Sequence, residues 1–496
     1  MRHFWMIGAF WLVGTGLLHA QNEIDLLRLG LTRSSPTARM AAMGGAFTAL
    51  GADAGGLTVN PAGIATFRRS TVNISPGLHF AGSTGTFRGT ETSDFGTNAF
   101  IGSLGYIHAS KPANGKLKQL NYGFTLNRTG DFFGFRSYEG VSRDHSLVDF
   151  FVDEANSNPV AFNANDFPFT ASLARTAGLI FPSIPNNDSS LFLGIIPNGG
   201  VTQSDRQISR GSVNEYAFTF GANYDNFLFV GGSLGLVSSL YSFEANYRER
   251  DNADTIFDFK DLLFRQEQTV SADGFLFKIG AIVQPVNWLR IGFNFEAPTR
   301  FNVVDDYQTR IEANFDSVPT FGSASSPLFL PFTYRFRKPG KIGAGIAFLY
   351  EDRATLSVDY DYLDLSSMRV TNEADDAGNL WASNLNSVVR SSFQPSHNIR
   401  VGAEYIWGPL AFRAGWAWWG SPYREDAPTG GADMSRMDFT GGAGMRLGKM
   451  GIDLSVVHNR MNGFYQPYFL EGRPNYDVRF TNTNTFVQTS LTFRLD

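Results

Sequence analysis

Val213-Asn-Glu-Tyr-Ala-Phe-Thr-Phe-Gly-Ala-Asn-Tyr224 sets the rule that the rest of the chain follows. Its even positions read Asn214, Tyr216, Phe218, Phe220, Ala222 and Tyr224, while the odd ones read Glu215, Ala217, Thr219, Gly221 and Asn223. A period of two marks a strand with one aromatic face and one small, polar face. The pattern returns in Leu356, Val358, Tyr360 and Tyr362 against Ser357, Asp359 and Asp361. Further along, Ile399 to Trp407 alternates against Arg400 and Glu404, and Leu410 to Trp418 against Arg413.

A soluble sandwich shows the same alternation, so no single strand separates it from a barrel. The connections do. Short turns at 111–118, 224–226, 285–288, 351–353, 407–409 and 447–451 alternate with longer loops at about 81–97, 130–212, 249–271, 311–328, 371–395, 420–435 and 463–481. This alternation predicts an all-β, antiparallel up-and-down transmembrane barrel of fourteen strands, with short periplasmic turns and long extracellular loops. Pro339-Gly340 interrupts the segment 330–350, which reads as one kinked strand because proline donates nothing to a ladder.

Composition agrees with an outward apolar face: 46 Phe, 17 Tyr and 8 Trp accompany 52 Gly at a mean hydropathy of −0.14. The chain has no cysteine, which excludes disulfides and thiolate metal sites. A net charge of −5 without a basic stripe excludes nucleic acid as a partner. The first twenty residues carry Arg2 and His3, an apolar run from Phe4 to Leu18 and Ala20 before Gln21, the pattern of a secretory signal peptide cleaved after Ala20. No later stretch is long and apolar enough for a helical span.

Two regions fall outside the strand pattern. Within 130–212, Leu147, Val148, Phe150, Phe151 and Val152 follow helical spacing opposite Asp149, Asp153 and Glu154, and a second apolar stretch runs from Phe167 to Phe181. Long loops with structure of their own tend to be functional, so Phe132, Phe133, Phe150, Phe151, Phe167 and Phe169 are candidate contacts for a hydrophobic ligand at the barrel mouth, the alternative being that the loop's aromatics only cap that mouth. The other region, from Arg39 to Ala65, is rich in small residues and glycine, too slight for a core of its own but able to pack backbone against backbone.

That second region carries a resemblance. Ala38-Arg-Met-Ala-Ala-Met-Gly-Gly-Ala46, Gly51-Ala-Asp-Ala54 and Val59-Asn-Pro-Ala-Gly63 resemble the N-terminal hatch of the FadL/TodX family of outer-membrane transport proteins. Tyr122 to Arg128, Tyr138-Glu139-Gly140 and Phe348 to Ser367, including Val358 to Tyr362, are similar to versions found in Bacteroidota. The resemblance implies a hatch over 21–68 inside a barrel over 69–496. It also implies uptake of long-chain fatty acids or aromatic hydrocarbons by capture at the extracellular loops and hatch-gated diffusion. Arg39, Gly44, Gly45, Asp53, Asn60 and Pro61 are the candidate hatch and gating residues. Such barrels also occur as PorV-like shuttles of a protein secretion system, an alternative from a different class.

The polar face supplies the charges Glu215, Lys341, Asp359, Asp361, Arg400, Glu404 and Arg413, expected to form a lumenal network that anchors a plug. The histidines after the leader, His79, His108, His145, His397 and His458, show no metal-ligand spacing. The glycines of the hatch lack the Lys-Ser/Thr of a phosphate loop, and no Gly-x-Ser-x-Gly elbow is present. No catalytic residue, cofactor or metal is therefore expected. The expected partners are outer-membrane lipid, a hydrophobic small molecule and the barrel-assembly machinery during biogenesis, with the protein a monomer.

Overall fold

The computed structural model describes all residues except 1–22, 32–34, 113–114, 158–161, 164, 318–321, 352, 373–375, 428–432 and 496. The expected signal peptide lies outside the described residues. Fourteen staves close an antiparallel barrel. In order they are β1 (Ser70–Phe87), β2 (Thr90–Ser110), β3 (Leu117–Asp131 and Gly134–Ser142), β4 (Val201–Tyr224), β5 (Leu228–Arg250), β6 (Asp261–Val286) and β7 (Leu289–Glu296 and Thr299–Asn314). There follow β8 (Phe332–Lys338 and Lys341–Tyr350), β9 (Ala354–Asp364 and Arg369–Thr371), β10 (Pro395–Trp407), β11 (Leu410–Trp419), β12 (Arg436–Leu447), β13 (Met450–Tyr465) and β14 (Val478–Leu495). Each stave pairs with its sequence neighbours, and β14 returns to β1 with Leu495 opposite Ser70, so the sheet closes on itself.

The alternation faces the way membrane solvent demands. On β4, Phe218 and Phe220 are exposed while Ala217 and Thr219 are buried, so the aromatic face points outward. Tyr224, Trp288, Tyr350 and Trp407, all exposed, gather at the short-turn end as an aromatic girdle. A closed barrel with an apolar outer band and a polar interior is an outer-membrane structure. No described helix is long and apolar enough to span a bilayer.

Several expected loops prove to be strand. Residues 81–97 form a hairpin that turns at Arg88-Gly89, where both residues have φ near left-handed values, +48° and +86°. Strand also takes up the flanks of 130–212, 249–271 and 311–328, so the second long loop shortens to 143–200. These extensions stand clear of the membrane, where both faces meet water or other loops and the outward apolar signal fades. The kink at Pro339-Gly340 separates the two segments of β8, and Pro298 separates those of β7 directly opposite, where Glu296 pairs with Lys341 and Thr299 with Lys338.

The helices sit within and above the barrel: α1 (Glu23–Gly30), α2 (Ala38–Ala42), α3 (Leu147–Asn156), α4 (Ala171–Thr176) and α5 (Asp376–Ser392). Helix α3 begins with a capping box, Ser146 Oγ accepting from Val148 N at 3.0 Å and Asp149 Oδ2 accepting from Ser146 N at 2.8 Å. The Glu249 carboxylate accepts from Leu147 N at 2.8 Å, from Gln203 at 2.8 Å and from Tyr247 at 2.7 Å, placing negative charge at the positive end of the helix. Sequence reading placed 371–395 in a loop, whereas α5 fills it. The signal was there in Trp381, Leu385 and Val389, whose helical spacing puts them together on the apolar cluster of the upper lumen.

Candidate functional site: the plugged lumen

Residues 35–68 lie inside the lower half of the barrel, in contact with inward-facing side chains of most staves. Two short 3-10 turns, Gly56–Thr58 and Pro61–Thr66, give the segment its compact form. Pro61 occupies the first position of the second turn, where its missing N–H costs nothing, and Asn60 caps it by accepting from Ala62 N at 3.0 Å.

The wall is built to let this backbone approach. A methyl group at Gly292 would lie 2.1 Å from the Thr48 carbonyl oxygen, one at Gly402 2.4 Å from that of Met43, one at Gly231 2.4 Å from that of Pro61 and one at Gly415 2.3 Å from the Gly44 nitrogen. Glycines on the inner face are thus the complement of the small-residue segment. Gly44 adopts φ +62° and Gly45 φ +77°, conformations that a side chain disfavours.

Polar contacts fix the segment to the wall along its length. Arg39 donates to Glu404 from Nε at 3.1 Å and from Nη2 at 2.9 Å, and Glu404 also accepts from Arg413 Nε at 2.6 Å. Arg413 continues to Asp453 at 2.7 Å. Thr48 N donates to Asp359 Oδ2 at 2.7 Å, and Arg400 lies 3.4 Å from Asp359 and 2.8 Å from Asp361. Asn60 Nδ2 donates to Thr48 O at 2.6 Å and to the wall carbonyls of Ala281 and Phe293 at 3.3 Å each. Ala38 N donates to Ser490 Oγ at 2.7 Å. Asp53, one of the candidate hatch residues, makes its hydrogen bonds within the segment: it accepts from Thr37 Oγ1 at 2.6 Å, Gly55 N at 2.9 Å and Gly56 N at 3.1 Å, folding the segment onto itself.

Glu215 pairs with Lys278 at 2.7 Å, and Lys278 also donates to Thr58 O at 2.8 Å. Around Glu296 gather Lys338 at 2.9 Å, Lys341 at 3.7 Å and Lys278 at 3.8 Å. Glu296 and Lys338 escaped the sequence reading because the breaks at Pro298 and Pro339 hide the alternation there, whereas Lys278 sits in intact alternation, between exposed Phe277 and Ile279, and was open to the same parity argument. These charges line a small space of about 40 Å³ between the N-terminal segment and the wall, together with Leu29, Val213, Val237, Leu276 and Phe301.

Above that space the lumen turns apolar. Leu26, Leu27 and Leu29 of α1 pack against inward-facing Val237, Tyr241, Val270, Leu276, Val303 and Phe336, with α5 over them through Ala382, Leu385 and Val389. The six aromatic residues expected at a ligand site do not converge. Phe150 and Phe151 are buried in the outer cap formed by α3, α4 and the strand extensions, and Phe167 packs against the same cluster. Phe169 meets Tyr307 and Phe329 on the rim, Phe132 packs edge-on against Tyr241 at 5.6 Å, and Phe133 stands beside His79. Helical and loop periodicity identified them as apolar but carried no information on which neighbour each would cover.

The wall itself has a seam. The ladder between β2 and β3 ends at Ser103 opposite Asn127, and the upper segment of β3 pairs with β4 instead. Side chains hold the remainder: Ser137 Oγ donates to Asp94 at 2.9 Å, Arg206 Nε to the same carboxylate at 2.8 Å, and the Phe135 ring covers Gly96, whose added methyl would lie 1.9 Å from it. Just inside, His79 is held between Asp131 at 3.0 Å and Asn484 at 2.9 Å, stacked on Phe486 with centroids 4.0 Å apart. Among the described residues no cluster of His, Asp and Glu is arranged to hold a metal ion.

No protein-family model and no curated protein matches the sequence. Solved structures do match the fold. A FadL homologue from Pseudomonas aeruginosa superposes with a TM-score of 0.53 at 12% identity, covering 94% of this chain and 100% of its own. The toluene transporter TodX of P. putida superposes with a TM-score of 0.53 at 12% identity, covering 92% of this chain and 98% of its own. With the closed fourteen-stave ladder, these matches identify the chain as a barrel of the FadL/TodX fold.

Proposed function

We propose that the protein is an outer-membrane channel that takes up hydrophobic compounds, long-chain fatty acids or aromatic hydrocarbons, by diffusion gated by the N-terminal hatch. The observation that carries this reading is the lumen's division into an apolar upper chamber and a polar, plugged lower half. An open aqueous pore offers an apolar solute no favourable contact, whereas a chamber lined by valine, leucine and phenylalanine does. The lower plug bars free passage of water and ions. The seam between β2 and β3, closed by side chains rather than a ladder, supplies an exit toward the bilayer that breaks few backbone hydrogen bonds.

In this reading Arg39, Gly44, Gly45, Asp53, Asn60 and Pro61 hold the hatch closed, and the lumenal charges seat it. The resemblance in fold to a toluene transporter supports it, as does the signal-peptide pattern read in the sequence of 1–20. Uptake of radiolabelled oleate and toluene by cells with and without the protein provides the test. Faster uptake of at least one compound is expected, and equal uptake of both in cells displaying the folded barrel overturns the reading.

A further inference from the structure

We infer that Arg300, Arg337 and Arg369 form a docking site on the barrel's outer wall for the phosphate groups of lipopolysaccharide, the glycolipid of the outer leaflet. The site depends on the barrel and its place in the membrane, not on what the channel carries.

The three arginines stand side by side on consecutive staves. Arg300 of β7 is directly opposite Arg337 of β8, which is directly opposite Arg369 of β9. Their sequence neighbours Phe301, Phe336 and Val370 are buried in the upper lumen, so the arginines share the outward face. Directly opposed positions hold Cβ atoms about 4.5–5.5 Å apart, and like charges so placed destabilise a sheet. Arg335, one outward step above Arg337, adds a fourth cation. Arginines elsewhere on the surface are relieved by carboxylates: Arg206 by Asp94 at 2.8 Å, Arg310 by Glu312 at 2.9 Å and Arg424 by Asp426 at 3.1 Å. Arg300 and Arg337, both exposed, reach none among the described residues, and the outward acid of the next stave, Asp273, stands opposite Asn302. Arg369 is held by its own turn, Nη1 donating to Met368 O at 2.7 Å and to Ser366 O at 3.1 Å. A row of cations that the fold assembles and does not neutralise calls for an anion from outside.

Depth decides which anion. Trp288, in the short-turn girdle just before β7, precedes Arg300 by twelve residues. At about 3.3 Å per residue and a strand tilt of about 40°, that is a climb of about 30 Å, just past an apolar band about 25 Å tall. The outward residues in between, Ile291, Phe293 and Phe295, are apolar, as is Ile342 below Arg337. The row therefore lies at the level of the outer-leaflet headgroups, where lipopolysaccharide carries its lipid A phosphates above acyl chains that rest on Phe295 and Ile342. Arginine suits that partner, because its planar fork bonds phosphate oxygens in pairs and two neighbouring guanidinium groups can share one phosphate.

The test titrates the full chain, in a mild non-ionic detergent, with bis-phosphorylated lipid A and reads the bound complex by native mass spectrometry. Arg300→Gln with Arg337→Gln is expected to weaken lipid A binding about tenfold or more, while Arg265→Gln with Arg310→Gln, outward but higher on the wall, leaves it unchanged. Equal binding by the first pair and wild type, or an equal loss from both pairs, overturns the inference. Two arms need only the wild-type protein. Lipid A stripped of its phosphates is expected to bind at least tenfold more weakly, and equal binding overturns the role of phosphate. Phosphatidylglycerol, with one phosphate and two chains, is expected to bind more weakly than lipid A, and equal affinity overturns the assignment to the glycolipid. Lipid A is also expected to raise the unfolding temperature of the wild-type barrel and not that of the Arg300→Gln, Arg337→Gln variant, and an equal rise in both overturns the site.

Discussion

Asn60 offers the sharpest probe of how the hatch is seated. Its side chain is fully buried and does two jobs: Oδ1 caps the turn Pro61–Thr66, and Nδ2 faces three carbonyl oxygens, those of Thr48, Ala281 and Phe293. Asn60→Ala removes the cap, worth about 1 kcal/mol, and the good hydrogen bond to Thr48, worth about another, and leaves a small void. We expect segment 56–66 to lose about 2–4 kcal/mol of docking stability, which raises its open population roughly 30- to 900-fold. Asn60→Asp is nearly isosteric and keeps the cap, yet it turns a carboxylate toward three carbonyls. Burial and those oxygens raise its pKa, so its cost is absent while it is protonated and grows as pH rises past the ordinary aspartate value of about 4. Asp should therefore be worse than Ala at pH 8 and milder than Ala at pH 5. Hydrogen exchange of the peptide over 56–67 reads this directly, with the β5 ladder as an internal reference expected to stay protected. Exchange unchanged from wild type in both variants, or the same ranking at both pH values, would refute the account of Asn60 as a donor to the wall.

Gly44→Ala should release the hatch far more than Gly45→Ala. The new methyl at Gly44 meets backbone atoms of Trp416 at 2.9 and 3.0 Å, whereas at Gly45 its nearest neighbour is the movable Ser35 hydroxyl at 3.2 Å; limited proteolysis of the hatch should rank them so. Glu404→Gln removes the charge shared by Arg39 and Arg413 and should cost the hatch about 3–5 kcal/mol, with little relief from added salt because the pair is screened from water; the same proteolysis at low and high ionic strength checks both points. In the extracellular cap, burial pushes the Glu154 carboxyl up to about 7, and its Oε2 has no partner. The folded cap therefore binds a proton more tightly than the unfolded loop, so this contribution is full below about pH 4.5 and is lost as pH rises through about 7. Glu154→Gln should stabilise the cap above pH 7 and change little at pH 4, as measured by proteolysis of loop 143–200.

The division of the lumen explains why charge and glycine occur where they do. Charged pairs such as Lys278–Glu215 and Arg413–Glu404 are out of water and add little net stability over an apolar filling, but each fixes one orientation of its partners. Glycines at 231, 292, 402 and 415 do the same for the backbone, since no side chain at those positions leaves room for the hatch. Together they specify a single seat for a segment whose own side chains are too small to define one.

The sequence by itself determined the barrel. A strict period of two over many segments, with short and long connections alternating, admits one closed antiparallel arrangement, because each strand's outward face is dictated by lipid and each short turn by a local choice of residues. It also determined that Glu215, Asp359, Asp361, Arg400, Glu404 and Arg413 share a face, since parity along a strand is local. Which charge meets which was decided only by tertiary structure: the link from Arg39 to Glu404 spans 365 positions, and no local rule reports it. The same holds for Asp53, which stays within its own segment, and for Phe150, Phe151 and Phe167 of the second long loop, which cover the cap while Phe132 packs on Tyr241 in the lumen. Helix α5 and the seat of α1 were likewise hidden, because a helix buried in a barrel mouth takes its stability from staves far away in the chain, and periodicity in its own residues says only that some apolar surface awaits it.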